Sequence, residues 1–190
     1  MSHEDREMIQ FSLQPQEAEL QQLADNYWES MSDKYQAEEK DAFDAGAAIR
    51  GGDRTPSTLR KIVHWKSPRI VPHFDKNSPE AVKSALDVAV SHTSEAEALA
   101  ALVILQGVAV PVASAMLTAI YPERYTVLDF RALEALGYFP QDERFYIAYL
   151  DFCRNLATVM KPQESLPAPT KLRALDRALW QWSKNEAKNR

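Results

Sequence analysis

The sequence predicts an all-helical protein, and three observations lead there. Glycine is scarce, five in 190 residues, while Ala, Leu, Glu and Lys abound. That balance favours helix and leaves little material for tight hairpins. Apolar residues recur at helical rather than alternating spacing in one segment after another. Capping residues and first-turn prolines stand where those periodic stretches begin. No stretch reads as a convincing strand, and no internal repeat or low-complexity tract is visible.

Taken in order, residues 1–13 read as a loose terminus. From Gln14 to about Ser32, Ala18, Leu20, Leu23, Ala24, Tyr27 and Trp28 fall close to helical spacing. A second helix is expected from Ala37 to Ile49, ended by the pair Gly51-Gly52. Thr55-Pro56 supplies an N-cap and a first-turn proline for a helix through Leu59, Ile62, Val63 and Lys66. Breaks at Pro68, Pro72 and Pro79 keep the chain irregular until Ser78-Pro79-Glu80 opens a helix through Val82, Leu86 and Val90. Thr93, with Glu95 and Glu97, places a cap and negative charge at the positive end of the next helix dipole. That helix is apolar on all sides as far as Leu105, so it is expected at the centre. Gly107 stands where a helix C-terminus needs a left-handed residue, and Pro111 where the following helix, ending at Tyr121, needs a first-turn residue. Asp129 reads as the cap of a short helix ending at Gly137, and a helix from Gln141 to about Met160 follows. Lys161 to Pro169 holds three prolines and reads as a loop, after which Thr170 caps a basic helix carrying Leu172, Leu175, Leu179 and Trp180.

The bulk numbers bound the function classes. A chain of 190 residues with 45% hydrophobic and 26% charged positions can bury its own core as one domain or two small lobes. The single Cys153 excludes a disulfide framework and any zinc or iron–sulfur site made only of cysteines, and points to a reducing cytoplasm. No cofactor motif is read. His73 and His92 have no partner at metal-ligand spacing, so no metal site is read either. The polar, acidic stretch from Met1 to Leu20 shows no signal peptide. Ala98 to Tyr121 carries no charge, but its internal Gly107, Pro111, Gln106, Ser114 and Thr118 fit two buried helices better than a membrane span. The net charge of −5 opposes a nucleic-acid partner weakly, and its distribution opposes it less. Residues 1–45 carry net −9, residues 46–76 net +5 and residues 170–190 net +4, so one face of an acidic protein can be positive.

The chemistry is concentrated in Leu105-Gln-Gly-Val-Ala-Val-Pro-Val-Ala-Ser-Ala115 and in Asp129, within Thr-Val-Leu-Asp-Phe-Arg-Ala-Leu. The first segment resembles the helix-hairpin-helix of base-excision DNA glycosylases, the superfamily of endonuclease III and 8-oxoguanine glycosylase. Its pattern there is roughly Leu-Pro-Gly-Val-Gly-x-Lys-x-Ala, with an aspartate at a set distance beyond the lysine, at the start of a helix. Here Pro111 takes the lysine position, and Asp129 stands at the matching separation from it. The motif covers about residues 95–137, and the helix order extends the likeness to about residues 55–190. The resemblance implies two lobes with a cleft between them. One is the segment 55–127, with the hairpin at about 95–121. The other is 128–190, joined by the N-terminal helices of 1–54. It further implies DNA as partner and monofunctional base excision. Asp129 would stabilise the sugar cation, and the N–H groups of Gly107, Val108, Ala109 and Val110 would face a phosphate. Pro111 offers no amine for a Schiff base, so no lyase step is expected. Arg131, in place of the family's frequent histidine, can pair with Asp129.

Outside the motif, His64-Trp65-Lys66-Ser67-Pro68-Arg69 joins an aromatic to groups that contact phosphates or bases, making His64, Trp65, Lys66 and Arg69, with Arg131, the pocket residues. Trp65 in the core and a solvated basic helix end is the plainer account of the same residues. Ser114 reads as packing between helices, Trp180 and Trp182 as core and rim of the last helix, and Cys153 as a small hydrophobe. A non-catalytic relative binding nucleic acid or protein, or a hydrolase of small nucleosides on the same fold, would use the same cleft.

Overall fold

In the computed structural model, which describes residues 10–91, 94–138 and 145–189, every regular element is helical. The N-terminal segment forms a short 3-10 turn at Glu17–Glu19 and then α1 (Leu20–Glu29), shorter than its apolar spacing suggested. The second helix, α2 (Asp33–Arg50), starts earlier than expected because Ser32 caps it, its hydroxyl accepting the Tyr35 N–H at 3.3 Å. The next, α3 (Pro56–Lys66), begins at the proline as expected, and Asp53 rather than Thr55 secures its entry by accepting the Thr55 N–H at 2.7 Å. A 3-10 turn at Pro68–Ile70, α4 (Val71–Phe74) and α5 (Pro79–Val90) follow, the last capped by Ser78, which accepts the Ala81 N–H at 3.2 Å.

The hairpin is formed by α6 (Glu95–Val103) and α7 (Val110–Ile120). The expected cap Thr93 lies outside the described residues; Ser94 fills the role and forms a capping box with Glu97. The central helix is α7, not α6. Every residue of α7 except Pro111 is buried, whereas α6 buries Ala98, Ala101 and Leu102 and leaves Val103 exposed. An all-apolar run therefore did not fix a central position: α6 packs on α5 and α7 with one face, and the rest meets water. At α7 the fit is tight enough to require Gly46 on α2, where an added Cβ would lie 1.9 Å from the Ala119 carbonyl oxygen.

Beyond α7 come α8 (Phe130–Ala135), α9 (Tyr146–Leu156) and α10 (Lys171–Asn189). The expected start of the helix at Gln141 lies outside the described residues. Thr170 caps α10 as expected, accepting the Arg173 N–H at 3.1 Å. In the packing, α1 runs along α10, α8 and α9 sit against α10, and α2 lies on α3 and α7. The buried side chains form one continuous apolar cluster. No helix among the described residues is long and apolar enough to cross a membrane.

Candidate functional site

Asp129 ends an irregular segment that is nevertheless buried, with Tyr125, Thr126, Val127 and Leu128 all in the interior. Buried backbone outside a helix must find hydrogen-bond partners elsewhere, and side chains from other helices provide them. The Pro122 carbonyl accepts from Thr170 Oγ1 at 3.0 Å and the Arg124 carbonyl from Arg154 at 2.7 Å. The Thr126 and Val127 carbonyls accept from the Tyr146 and Tyr149 hydroxyls, each at 2.9 Å. The Leu128 N–H donates to Ser114 Oγ at 2.8 Å, so the hairpin helix α7 itself helps place the carboxylate. Ser114 thus does more than fill space between helices.

Asp129 caps α8, its Oδ1 accepting the Arg131 N–H at 2.9 Å. Its other oxygen meets Lys66 Nζ at 2.5 Å, and the two side chains are only 20% and 14% exposed. Burial pushes the Asp129 carboxyl upward, but the Lys66 charge and hydrogen bond and the Arg131 N–H outweigh it and hold the group below its ordinary value. The expected partner was Arg131, and the structure corrects this. The Arg131 guanidinium points to α10, where it donates to Ser183 Oγ at 3.3 Å and lies over the Trp180 ring. As the second residue of α8 it gives its backbone, not its side chain, to the capping carboxylate.

Lys66 and Asp129 line a cleft of about 180 Å³ whose remaining walls are Tyr27 and Tyr35 from the N-terminal helices, Trp65 beside Lys66, Val127, and Arg173, Asp176 and Trp180 from α10. Beneath it is a buried charge network. Glu39, fully buried, accepts from Arg173 Nε at 3.2 Å, Arg177 at 2.7 Å and the Tyr27 hydroxyl at 3.2 Å. Arg173 also bonds to Asp176. Burial pushes the Asp176 carboxyl up against the pull of Arg173, and the Asp129 charge adds to the rise. Burial likewise pushes Glu39 up, but Arg173 and Arg177 prevail and keep it low. One ionised carboxylate at the mouth, a second shifted the other way, and four aromatic rings make this the chemically richest hollow among the described residues. A larger hollow of about 680 Å³ lies between α2 and the loop at 165–169, but its Lys40 and Asp44 pair with each other at 2.6 Å.

The sequence cluster at 64–69 is only partly brought together. Successive helix residues point about 100° apart, and α3 disperses the cluster accordingly. Trp65 is buried against Phe43, with the Arg173 guanidinium over its ring, and its Nε1 has no hydrogen-bond partner among the described residues. Lys66 enters the cleft. His64 faces a different hollow with Arg60 and Lys61, its Nδ1 3.9 Å from Glu38. Arg69 is exposed on the 3-10 turn and does not line the cleft.

In the hairpin, Gly107 takes φ +79°, and an added Cβ would lie 2.9 Å from His73 Cβ, so the turn is seated on α4 just beyond Lys66 and the 3-10 turn. The Val108 N–H is committed to the Leu105 carbonyl at 3.1 Å, which removes it from the expected set of phosphate donors. Among the described residues the N–H groups of Gly107, Ala109 and Val110 have no backbone acceptor. No group of three or more His, Cys, Asp or Glu among the described residues could hold a metal ion.

Comparison with protein-family models, with curated proteins and with solved structures finds no match to this chain.

Sequence reasoning missed Tyr27, Tyr35, Arg173 and Asp176. In α10, Arg173, Asp176 and Arg177 stand at i, i+3, i+4 spacing opposite Leu172, Leu175 and Leu179, the pattern of a solvated face, so no local signal marked them.

Proposed function

We propose that this chain is a DNA-binding protein that hydrolyses a base–sugar bond in the Asp129 cleft, in the manner of a monofunctional DNA N-glycosylase. The observation that carries the reading is Asp129 itself: an ionised carboxylate, fixed by its tethered segment, at the edge of an aromatic-walled cleft beside the hairpin. Cleavage of the base–sugar bond builds positive charge on the sugar, which a preorganised carboxylate stabilises. A carboxylate offers about four acceptor positions, so the bonds from Lys66 and Arg131 leave lone pairs for the sugar or for a water. The rings of Trp65, Trp180, Tyr27 and Tyr35 suit a base taken out of its stack. Position 111 has no amine, and the cleft's Lys66 serves as counter-ion to Asp129, so no lyase step is assigned.

Base release from duplexes carrying damaged or mismatched bases tests this. Release by the wild type should be abolished in Asp129→Asn while duplex binding persists, with log affinity falling steeply against log salt. Equal release by the variant, or no duplex binding at low salt, sinks the reading. The cleft's small volume and the net charge of −5 favour a second one, hydrolysis of a free nucleoside, which the same assay detects with nucleoside in place of duplex.

A further inference from the structure

At the mouth of the cleft four side chains alternate between aromatic and cationic. The Arg131 guanidinium lies 5.1 Å from the Phe130 ring centroid and 5.2 Å from that of Trp180, and Lys184 Nζ lies 5.0 Å from the Trp180 centroid. Trp180 is also part of the cleft wall, so the series starts in the site and runs outward to Phe130. Phe130 is 69% exposed, although it directly follows Asp129. Single exposed apolar residues are ordinary, but this one is the outer rung of an ordered stack.

No carboxylate pairs with Arg131, Lys184 or Lys188 among the described residues. The Arg131 guanidinium donates to Ser183 Oγ, whose hydroxyl donates in turn to Glu134, and its charge also acts on Asp129 without a direct bond, while Lys184 reaches the carbonyl and hydroxyl of Ser30. Partial burial, then the charges of Lys188 and Arg131, lower the Lys184 ammonium from its usual value, as expected where like charges crowd together. Cations without a direct carboxylate partner, beside the exposed Phe130 ring and the half-buried Trp180 ring, are complementary to a polyanion bearing planar apolar groups.

We propose that Phe130, Arg131, Trp180 and Lys184 form a stacking platform for unpaired bases of a DNA strand, flanking the nucleotide held at Asp129. The proposal rests on the reading above that the ligand is DNA, and it narrows the substrate to DNA with nucleotides already out of the duplex stack. Every base has a π face, so such a platform accepts any sequence. The phosphates between the bases meet Arg131 and Lys184. A free nucleoside would fill the cleft and leave Phe130 unused.

The test is fluorescence anisotropy with a labelled single-stranded oligothymidylate and with a strand of equal charge that lacks bases, each across a salt series. Phe130→Ala should weaken oligothymidylate binding about tenfold at every salt concentration with the salt slope unchanged. On the base-free strand it should have no effect, and Phe130→Trp should bind oligothymidylate as the wild type does. Arg131→Gln should instead reduce the magnitude of the slope by about 0.7, the share of one single-strand phosphate. Because Phe130 is exposed, its substitution leaves the core intact, which a thermal melt verifies. Wild-type affinity in Phe130→Ala, equal losses on both strands, or no wild-type binding to oligothymidylate at low salt overturns the platform. Stacking-dependent binding without any base release supports the platform and removes only the catalytic reading of Asp129.

Discussion

Replacing Lys66 by Met removes the counter-ion of Asp129 while keeping an unbranched side chain of similar reach. Unit charges about 4 Å apart attract by about 4 kcal/mol at an effective dielectric constant near 20. In the folded protein that gain is set against the desolvation of two groups that are 14% and 20% exposed. The pair as a whole therefore contributes little net, but removing one member strands the other. Asp129 would be left with the Arg131 N–H and the weaker pull of the Arg131 charge, and Asp176 would lose a cation that now lowers it. We expect Lys66→Met to cost about 3 kcal/mol at neutral pH. The sign against pH follows from proton binding. In the wild type the Asp129 carboxyl sits below its ordinary value, so its contribution is complete above the usual carboxylate range and is lost only as pH falls through the lowered value. In the variant, burial acts without the lysine and lifts the carboxyl above its unfolded value, so the folded variant binds the proton more tightly and recovers stability on acidification. The deficit should be largest at about pH 7 and shrink to about 1 kcal/mol by about pH 4.5. Urea unfolding of both proteins at the two pH values measures it. A deficit independent of pH, or one below about 0.5 kcal/mol at neutral pH, would refute the claim that Lys66 holds Asp129 ionised.

Three further outcomes follow from the packing. Ser114→Ala leaves the buried Leu128 N–H without its acceptor and should cost about 1–3 kcal/mol in a chemical melt; a neutral effect would show that Ser114 does not place the segment. Gly46→Ala sets a Cβ 1.9 Å from the Ala119 carbonyl oxygen and must part α2 from α7, so a loss of about 3 kcal/mol or more, or failure to fold, is expected, and wild-type stability contradicts the contact. Cys153 is fully buried, and burial pushes its thiol well above the usual range, so alkylation by iodoacetamide should proceed only at the rate of opening and accelerate with subdenaturing urea. Rapid labelling of the native protein would contradict that burial.

The hairpin was legible because its signals are local. Gly107 and Pro111 can each be read from the conformation one residue must adopt, and Asp129 from its fitness as a cap. The centre of the fold was not. An apolar run such as Ala98 to Leu105 states that burial is favourable but not which neighbour provides it, and here Ile104 at its end is 83% exposed. Nor does anything near position 66 or 129 say that these residues meet, since a contact across 63 positions is a property of the packing. Arg131 looked like the counter-ion because sequence proximity is the only distance a sequence offers. The charges of α10 were hidden for the opposite reason. A basic helix reads as solvated, yet Arg173 and Arg177 are buried because Glu39 on a helix far away in sequence neutralises them.

The segment leading to Asp129 is fastened by Ser114 of α7, Tyr146, Tyr149 and Arg154 of α9, and Thr170 at the start of α10. A loop held in this way has no hinge. The Leu128 amide, which donates to Ser114, should exchange with deuterium as slowly as those of the core helices. Any fitting of a ligand must then come from the rim, where the exposed Phe130 has room to turn, while the carboxylate stays still as the fixed coordinate to which the substrate adapts.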